Sequence, residues 1–146
     1  MKTKMILGIT LLFLVITAIS ANAADLCHSK ADSAISNLKT WQDLRLWYEN
    51  YHGCDDGYFA EGISDFVVAS LAKQWQTLPT FQKEIMKNSR FKSFVMKHID
   101  ATTDDNDLKT TVQNAKVKCP SKLRHLCNEI GKNAQTALKA IEETTK

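Results

Sequence analysis

The chain has 146 residues, with 19 basic side chains against 16 acidic ones (+3), and contains only five glycines and two prolines. That length is the usual size of one domain, and the near balance of charge excludes the dense cationic surface that nucleic acid or an anionic membrane requires. No Pro/Gly/Ser-rich linker, internal repeat or low-complexity tract divides it, and few breakers with almost no alternating strand pattern point to an all-α fold.

The first four residues carry Lys2 and Lys4 and no acid, an apolar run extends from Met5 to Ile19, and Ala21 and Ala23 follow. A basic start, an apolar stretch and small residues at the −3 and −1 positions make a secretory signal, with cleavage expected after Ala23. The apolar run is shorter than the roughly 20 residues needed to span a bilayer. Leu26, directly before Cys27, is not the small residue that lipidation requires. The expectation is a signal peptide over 1–23 and a soluble domain over 24–146, periplasmic or secreted and free of the membrane once cleaved. Without the signal the balance is 17 basic to 16 acidic, unevenly spread. Residues 24–65 hold 3 basic and 8 acidic groups, residues 66–99 hold 6 and 1, residues 100–107 hold four acids and no base, and residues 108–146 hold 8 and 3. Such a dipolar surface suits steering of a protein partner, or is simply a solvated face.

Ser29 with Asp32 and Thr40 with Asp43 each resemble a capping start, predicting helices over about 30–38 and 41–51. In the second, Trp41, Leu44, Trp47, Tyr48 and Tyr51 share one face, as core packing rather than ligand stacking. After the turn Gly53 to Gly57, the residues Phe59, Ile63, Phe66, Val67, Leu71, Trp75 and Leu78 trace a helical stripe of about five turns. Asp55 and Asp56 stand at its start, where the helix dipole favours negative charge. Glu61 and Asp65 follow, one turn apart. Two carboxylates at that spacing suit a cation or acid–base chemistry, but an exposed acidic edge explains them equally. Gly62, costing roughly 1 kcal/mol inside a helix, predicts the close approach of another helix.

Pro79 ends that helix or starts the next. A short helix to about Asn88 and another over about 90–100 follow, with His98 on or beside the apolar face as a core histidine. The loop Thr102 to Asp107 resembles part of a calcium loop, but lacks the Asp-x-Asp-x-Asp-Gly pattern and the distal Glu. Capping of the next helix by Asn106 or Asp107 is the simpler reading. A last helix is expected over about 122–141, fraying from Glu142. The sum is a compact all-α domain of six or seven short-to-medium helices.

All four cysteines, Cys27, Cys54, Cys119 and Cys127, lie after the signal. An even count in an exported chain reads as two disulfides, with three pairings to choose from. The local solution, Cys27–Cys54 with Cys119–Cys127, is favoured. A continuous helix over 119–127 would separate its ends by about 12 Å, so that pairing demands a turn near Pro120. His52 and His125 each precede a cysteine by two and His28 adjoins Cys27, but these spacings match no common zinc module, so neither metal nor cofactor is expected.

No nucleophile elbow, His-Glu-x-x-His, phosphate loop or recognisable catalytic Cys–His pairing is present, so an enzyme is not expected. A binding protein is. The cleaved signal, about 120 mature residues, helical pattern and paired cysteines (Cys27, Cys54, Cys119, Cys127) resemble the small periplasmic immunity proteins that neutralise amidase effectors of bacterial type VI secretion. The resemblance is one of architecture and spans the mature chain. It implies an inhibitor that works as a plug, a homodimer placing a loop or helix in the effector's catalytic cleft. It carries over no inhibitory residue. By position and charge, the inserted element is expected to be the Asp104, Asp105, Asn106, Asp107 loop or the Asp55, Asp56 turn with Glu61 and Asp65 beyond it. A small periplasmic chaperone of the acid-stress kind is the alternative reading, and an unrecognised periplasmic enzyme a lesser one.

Overall fold

A computed structural model describes residues 26–146, so the expected export segment over 1–23 lies outside the described residues. Those described are all-helical, with no strand. A π-helical turn, Leu26–Ala31, runs into α1 (Asp32–Ile35), followed by α2 (Trp41–Tyr51), α3 (Gly57–Lys73), α4 (Leu78–Lys87), α5 (Ser89–Lys97), α6 (Asp105–Val117) and α7 (Arg124–Thr144). Short 3-10 turns at His52–Cys54, Trp75–Thr77 and Ser121–Leu123 join them. No helix among the described residues is long and apolar enough to cross a membrane.

Local chemistry sets most boundaries. Thr40 and Asp43 form the expected capping box at α2: the Asp43 amide donates to Thr40 Oγ1 at 3.1 Å, and the Thr40 amide to Asp43 Oδ2 at 2.9 Å. Ser29 and Asp32 make no such start, because the backbone is already helical from Leu26 and the residue before α1, Ala31, has helical dihedrals. This first segment stops at Ile35 rather than about residue 38. There the Ser36 hydroxyl and Asn37 amide bond back to the carbonyls of Asp32 and Ser33, and such side chains compete with continued helix.

The third helix ends at Lys73, earlier than the apolar stripe suggests. Gln74 leaves helical geometry (φ −126°, ψ 38°), and a 3-10 turn carries Trp75 and Leu78 onto the same core. Periodicity therefore persists across a break in the hydrogen-bond ladder. Pro79 stands in the first turn of α4, where its missing N–H leaves no bond unmade. Asp104, not Asn106 or Asp107, caps α6: its Oδ1 accepts from the amides of Asn106 (2.9 Å) and Asp107 (3.0 Å). The last helix continues to Thr144 instead of fraying at Glu142.

The core is continuous. Leu44 and Trp47 of α2 and Ile63, Val67 and Leu71 of α3 meet Phe81 of α4 and Phe91 of α5, with Leu108 of α6 and Ile130 of α7 closing it. The Trp41 ring stacks on Phe81 at 4.5 Å between centroids, while its Nε1–H reaches Thr77 Oγ1 at 2.9 Å, so the indole's polar atom stays bonded. Gly62 meets its expectation: a Cβ there would stand 3.1 Å from Ile35 Cδ1, so α1 lies directly on α3.

The bridges are Cys27–Cys54 and Cys119–Cys127, with Cα separations of 5.5 and 6.0 Å. The chain turns between α6 and α7 as the second demands. With all four sulfurs so joined, no described cysteine is free to bind a metal as thiolate.

One internal defect yields a direct prediction. Thr111, fully buried in α6, has no hydrogen-bond partner for its hydroxyl among the described residues. An unpaired buried hydroxyl costs about 1–3 kcal/mol, and valine keeps the shape without it. Thr111→Val is expected to stabilise the protein by about 1 kcal/mol, read as a higher urea midpoint at unchanged slope.

Candidate functional site

The acidic residues divide into those the fold turns inward and those it leaves on one face. Asp55 is turned inward: its carboxylate, 8 % exposed, accepts from Lys97 Nζ at 2.8 Å and lies 3.2 Å from His98 Nε2. Asp56 precedes α3 in extended conformation, with its side chain exposed and making no cap hydrogen bond. Gly57 opens α3 at φ +43°, a left-handed value that an L side chain adopts only with strain. This bend sends Asp55 and Asp56 to opposite sides of the chain's path, one buried and one in solvent.

Beyond the turn, Tyr58, Glu61 and Asp65 stand at i, i+3 and i+7 of α3, all exposed. Neither acid has an ion partner among the described residues. Tyr58 retains 64 % of its surface, although its ring is large and partly apolar. Partial desolvation at the helix surface, then the charges of Glu61, Asp100 and Asp107, hold the Asp65 carboxyl above its ordinary range. Carboxylates from α3, from the loop after α5 and from α6 thus converge on one face. Asp107 is partly compensated by Lys73 at 2.7 Å, and Asp105 turns to Lys109 at 2.7 Å. Asp104 is engaged in capping, while Asn106 is exposed beside it. Asp107, at the start of α6, lies near enough to α3 to act on Asp65 and links the two acidic elements expected separately, while Asp55 takes no part.

Behind this surface lies a constellation that no local pattern announces. Ser64 Oγ stands 3.0 Å from His98 Nδ1 and donates to Asp100 Oδ2 at 2.8 Å, while His98 Nε2 faces Asp55. The residue types are those of a serine hydrolase, but the surroundings differ. Ser64 and His98 are each 1 % exposed, so no substrate carbonyl reaches the hydroxyl, and the Ser64 proton is directed at a carboxylate. Burial lowers the His98 pKa, outweighing the attraction of Asp55. The network ties α3 to the end of α5 and orients Asp100. Burial of Asp100 opposes its charge, but bonds from the Thr102 hydroxyl and amide and from Ser64 prevail and hold it below the usual carboxylate range.

Tyr58 and Asp100 are the members of this face that the sequence reading passed over. Tyr58 carries a usable signal, an aromatic group off the apolar stripe at helical spacing from two acids. Asp100 carries none, since its position depends on Ser64, 36 residues earlier. No protein-family model matches the chain, and neither curated proteins nor solved structures provide a match.

Proposed function

We propose that this chain is an exported, periplasmic binding protein that inhibits a cell-wall-degrading effector, with its acidic face as the contact surface. The observation that carries this reading is the strip of Tyr58, Glu61 and Asp65, exposed on α3 with no ion partner for either acid among the described residues. Partial desolvation and the charges of Glu61, Asp100 and Asp107 push the Asp65 carboxyl above its ordinary range, so the free protein maintains mutual repulsion there. A cationic partner relieves that repulsion and is steered towards it. Tyr58, exposed in the same strip, supplies the large, stiff, amphipathic contact typical of interface anchors. The choice of a cell-wall hydrolase as partner follows the architectural resemblance to immunity proteins.

Co-expression with the neighbouring reading frame tests it. The expected result is a stoichiometric complex on gel filtration and suppressed digestion of purified sacculi. Tyr58→Ala with Asp65→Lys should weaken the complex about 30-fold or more, the equivalent of about 2 kcal/mol, with an unchanged circular dichroism spectrum. Hydrolysis of sacculi by the protein itself overturns the reading.

A second reading, a chaperone that opens in acid, is favoured by the buried titratable groups. The lowered pKa of His98 means that the unfolded chain takes up a proton more readily, so its contribution is complete above about pH 6.5 and declines as pH falls through that value. Glu49, Glu84 and Asp100 are all held below the carboxylate range, and their contribution is lost on further acidification. Asp65 acts in the opposite sense, since protonation relieves it. Stability from urea melts should fall below about pH 6.5, and His98→Leu should flatten the limb between about pH 7 and 5. A domain that remains cooperative and binds no hydrophobic dye at about pH 2–3 excludes the chaperone.

A further inference from the structure

Away from the acidic face, the C-terminal half of α6 and the N-terminal half of α7 enclose an open groove of about 500 Å³. Its floor exists because Gly131 has no side chain: a Cβ there would meet the Ala115 Cβ at 3.2 Å, so the helices approach closely and their flanking residues rise as walls. The Cys119–Cys127 bridge lines one end. Lys116 stands on the α6 wall, and Arg124, Asn128, Lys132 and Gln135 stand along α7. Those four α7 positions are spaced by four, four and three residues, a polar ladder about 16 Å long.

Two properties make this groove more than a furrow between helices. The first is charge. No carboxylate lines it, and Lys116, Arg124 and Lys132 are exposed with no ion partner among the described residues. Elsewhere Lys73, Lys92, Lys97 and Lys109 each hold a carboxylate, while Lys83, Arg90, Lys118, Lys122 and Lys139 have no ion partner among the described residues either; the groove differs in gathering three such cations around one carboxylate-free lining. The second is rigidity. Asn114 Nδ2 donates to the carbonyls of Leu71 (3.1 Å) and Ala72 (2.9 Å), and Trp75 Nε1 donates to the Lys118 carbonyl (2.9 Å). These bonds anchor the end of α6 to the end of α3, and the disulfide anchors it to α7. Such a groove loses little freedom when it is filled.

We infer that this groove binds an acidic peptide segment in extended conformation, about five residues long. The length follows from the ladder, since an extended chain advances about 3.3 Å per residue. The three cations select carboxylate side chains. The amides of Asn128 and Gln135 each offer a donor and an acceptor, which match a peptide backbone; an ionised phosphate accepts only. Val112 and Ala115 give an apolar floor for one uncharged side chain. This site lies at the opposite end of α6 from Asp105 and Asp107, about 16 Å along the helix, and does not depend on the inhibitor reading.

Fluorescence anisotropy on the purified, oxidised protein tests it, using fluorescein-labelled Glu-Asp-Val-Asp-Glu as probe. Saturable binding is expected, weakened by salt because the groove is exposed. The isosteric Gln-Asn-Val-Asn-Gln peptide should not bind, and inorganic phosphate should displace the probe no better than chloride of equal ionic strength. Lys116→Gln with Lys132→Gln should weaken binding about tenfold or more at an unchanged melting temperature, whereas Asp65→Lys on the acidic face should not weaken it. Absence of saturable binding overturns the assignment, as does equal binding of the amide peptide or full affinity in the double variant. Displacement by phosphate at concentrations where chloride has no effect reduces the groove to a plain anion site and overturns the peptide assignment.

Discussion

Replacing both Cys27 and Cys54 by alanine is expected to destabilise the protein by about 3.5 kcal/mol, against about 2.5 kcal/mol for Cys119 with Cys127. The difference follows from loop length: the bridges close segments of 27 and 8 residues, and the longer loop restricts the unfolded chain more. Native packing adds to the first effect. Cys27 fastens the π-helical turn to the 3-10 turn at Cys54, and Ala31 at the end of that turn is fully buried, its carbonyl accepting from Trp47 Nε1 at 3.2 Å. Loss of the bridge frees a segment that covers the central tryptophan. For a domain whose total stability is about 5–15 kcal/mol, the melting temperature should fall by about 10–15 °C. Equal effects of the two double variants would show that loop closure is not what the bridges contribute.

Arg45→Met is expected to cost about 3 kcal/mol. Glu84 is buried against α2, its Oε2 accepting from Arg45 Nε at 2.6 Å and its Oε1 from Lys87 Nζ at 2.7 Å. Arg45 also holds Glu49 one turn along its own helix. Burial opposes the charge on Glu84, but the bonds from Lys87 and Arg45 prevail and hold its carboxyl below the usual range. Removing the guanidinium leaves that charge with only Lys87, whose side chain is largely in solvent. Breaking a buried pair typically costs about 3–5 kcal/mol, and the remaining lysine places this case at the lower end. Arg45→Met combined with Glu84→Leu should recover most of the loss, because no buried charge is then left unpaired. Failure of that rescue in urea melts would mean that Arg45 acts through packing of its stem rather than through charge.

The acidic face and the basic groove occupy opposite ends of α6, and both rest on the same fixed helices. The expected weakening of effector binding by Tyr58→Ala with Asp65→Lys, and of peptide binding by Lys116→Gln with Lys132→Gln, should therefore be separable. All four side chains are exposed.

Interactions within a few residues were legible in the sequence. The Thr40–Asp43 capping box and the face formed by Trp41, Leu44 and Trp47 depend on helical spacing alone, as does the all-α class. Gly62 announced a close approach, but not that Ile35, 27 residues earlier, makes it. The cysteine pairing was favoured but not decided by the sequence, since three pairings were open; the local one, which required a turn near Pro120, is the one found. Boundaries were less legible. Trp75 and Leu78 keep their place on the core across the break at Gln74, so apolar period does not record where the ladder stops. Asp104 rather than Asn106 or Asp107 caps α6 because its backbone is extended there (φ −60°, ψ 127°), a property that composition does not carry.

What only the tertiary structure decided is the division of the acids. Asp55 and Asp56 are adjacent and chemically alike, yet Lys97 and His98, 42 and 43 residues away, draw one inside and leave the other exposed. Ser64, His98 and Asp100 become a network, and Glu61, Asp65, Asp100 and Asp107 become one face, by contacts of that same range. Local chemistry is determined by which residues follow one another, because the backbone bonds and caps that form helices reach only a few positions. The electrostatics of this protein's surface are determined by which helices meet, because Coulomb interactions and burial act through space, and the packing of α3 against α6, with the Ser64 bonds to the end of α5, sets those distances.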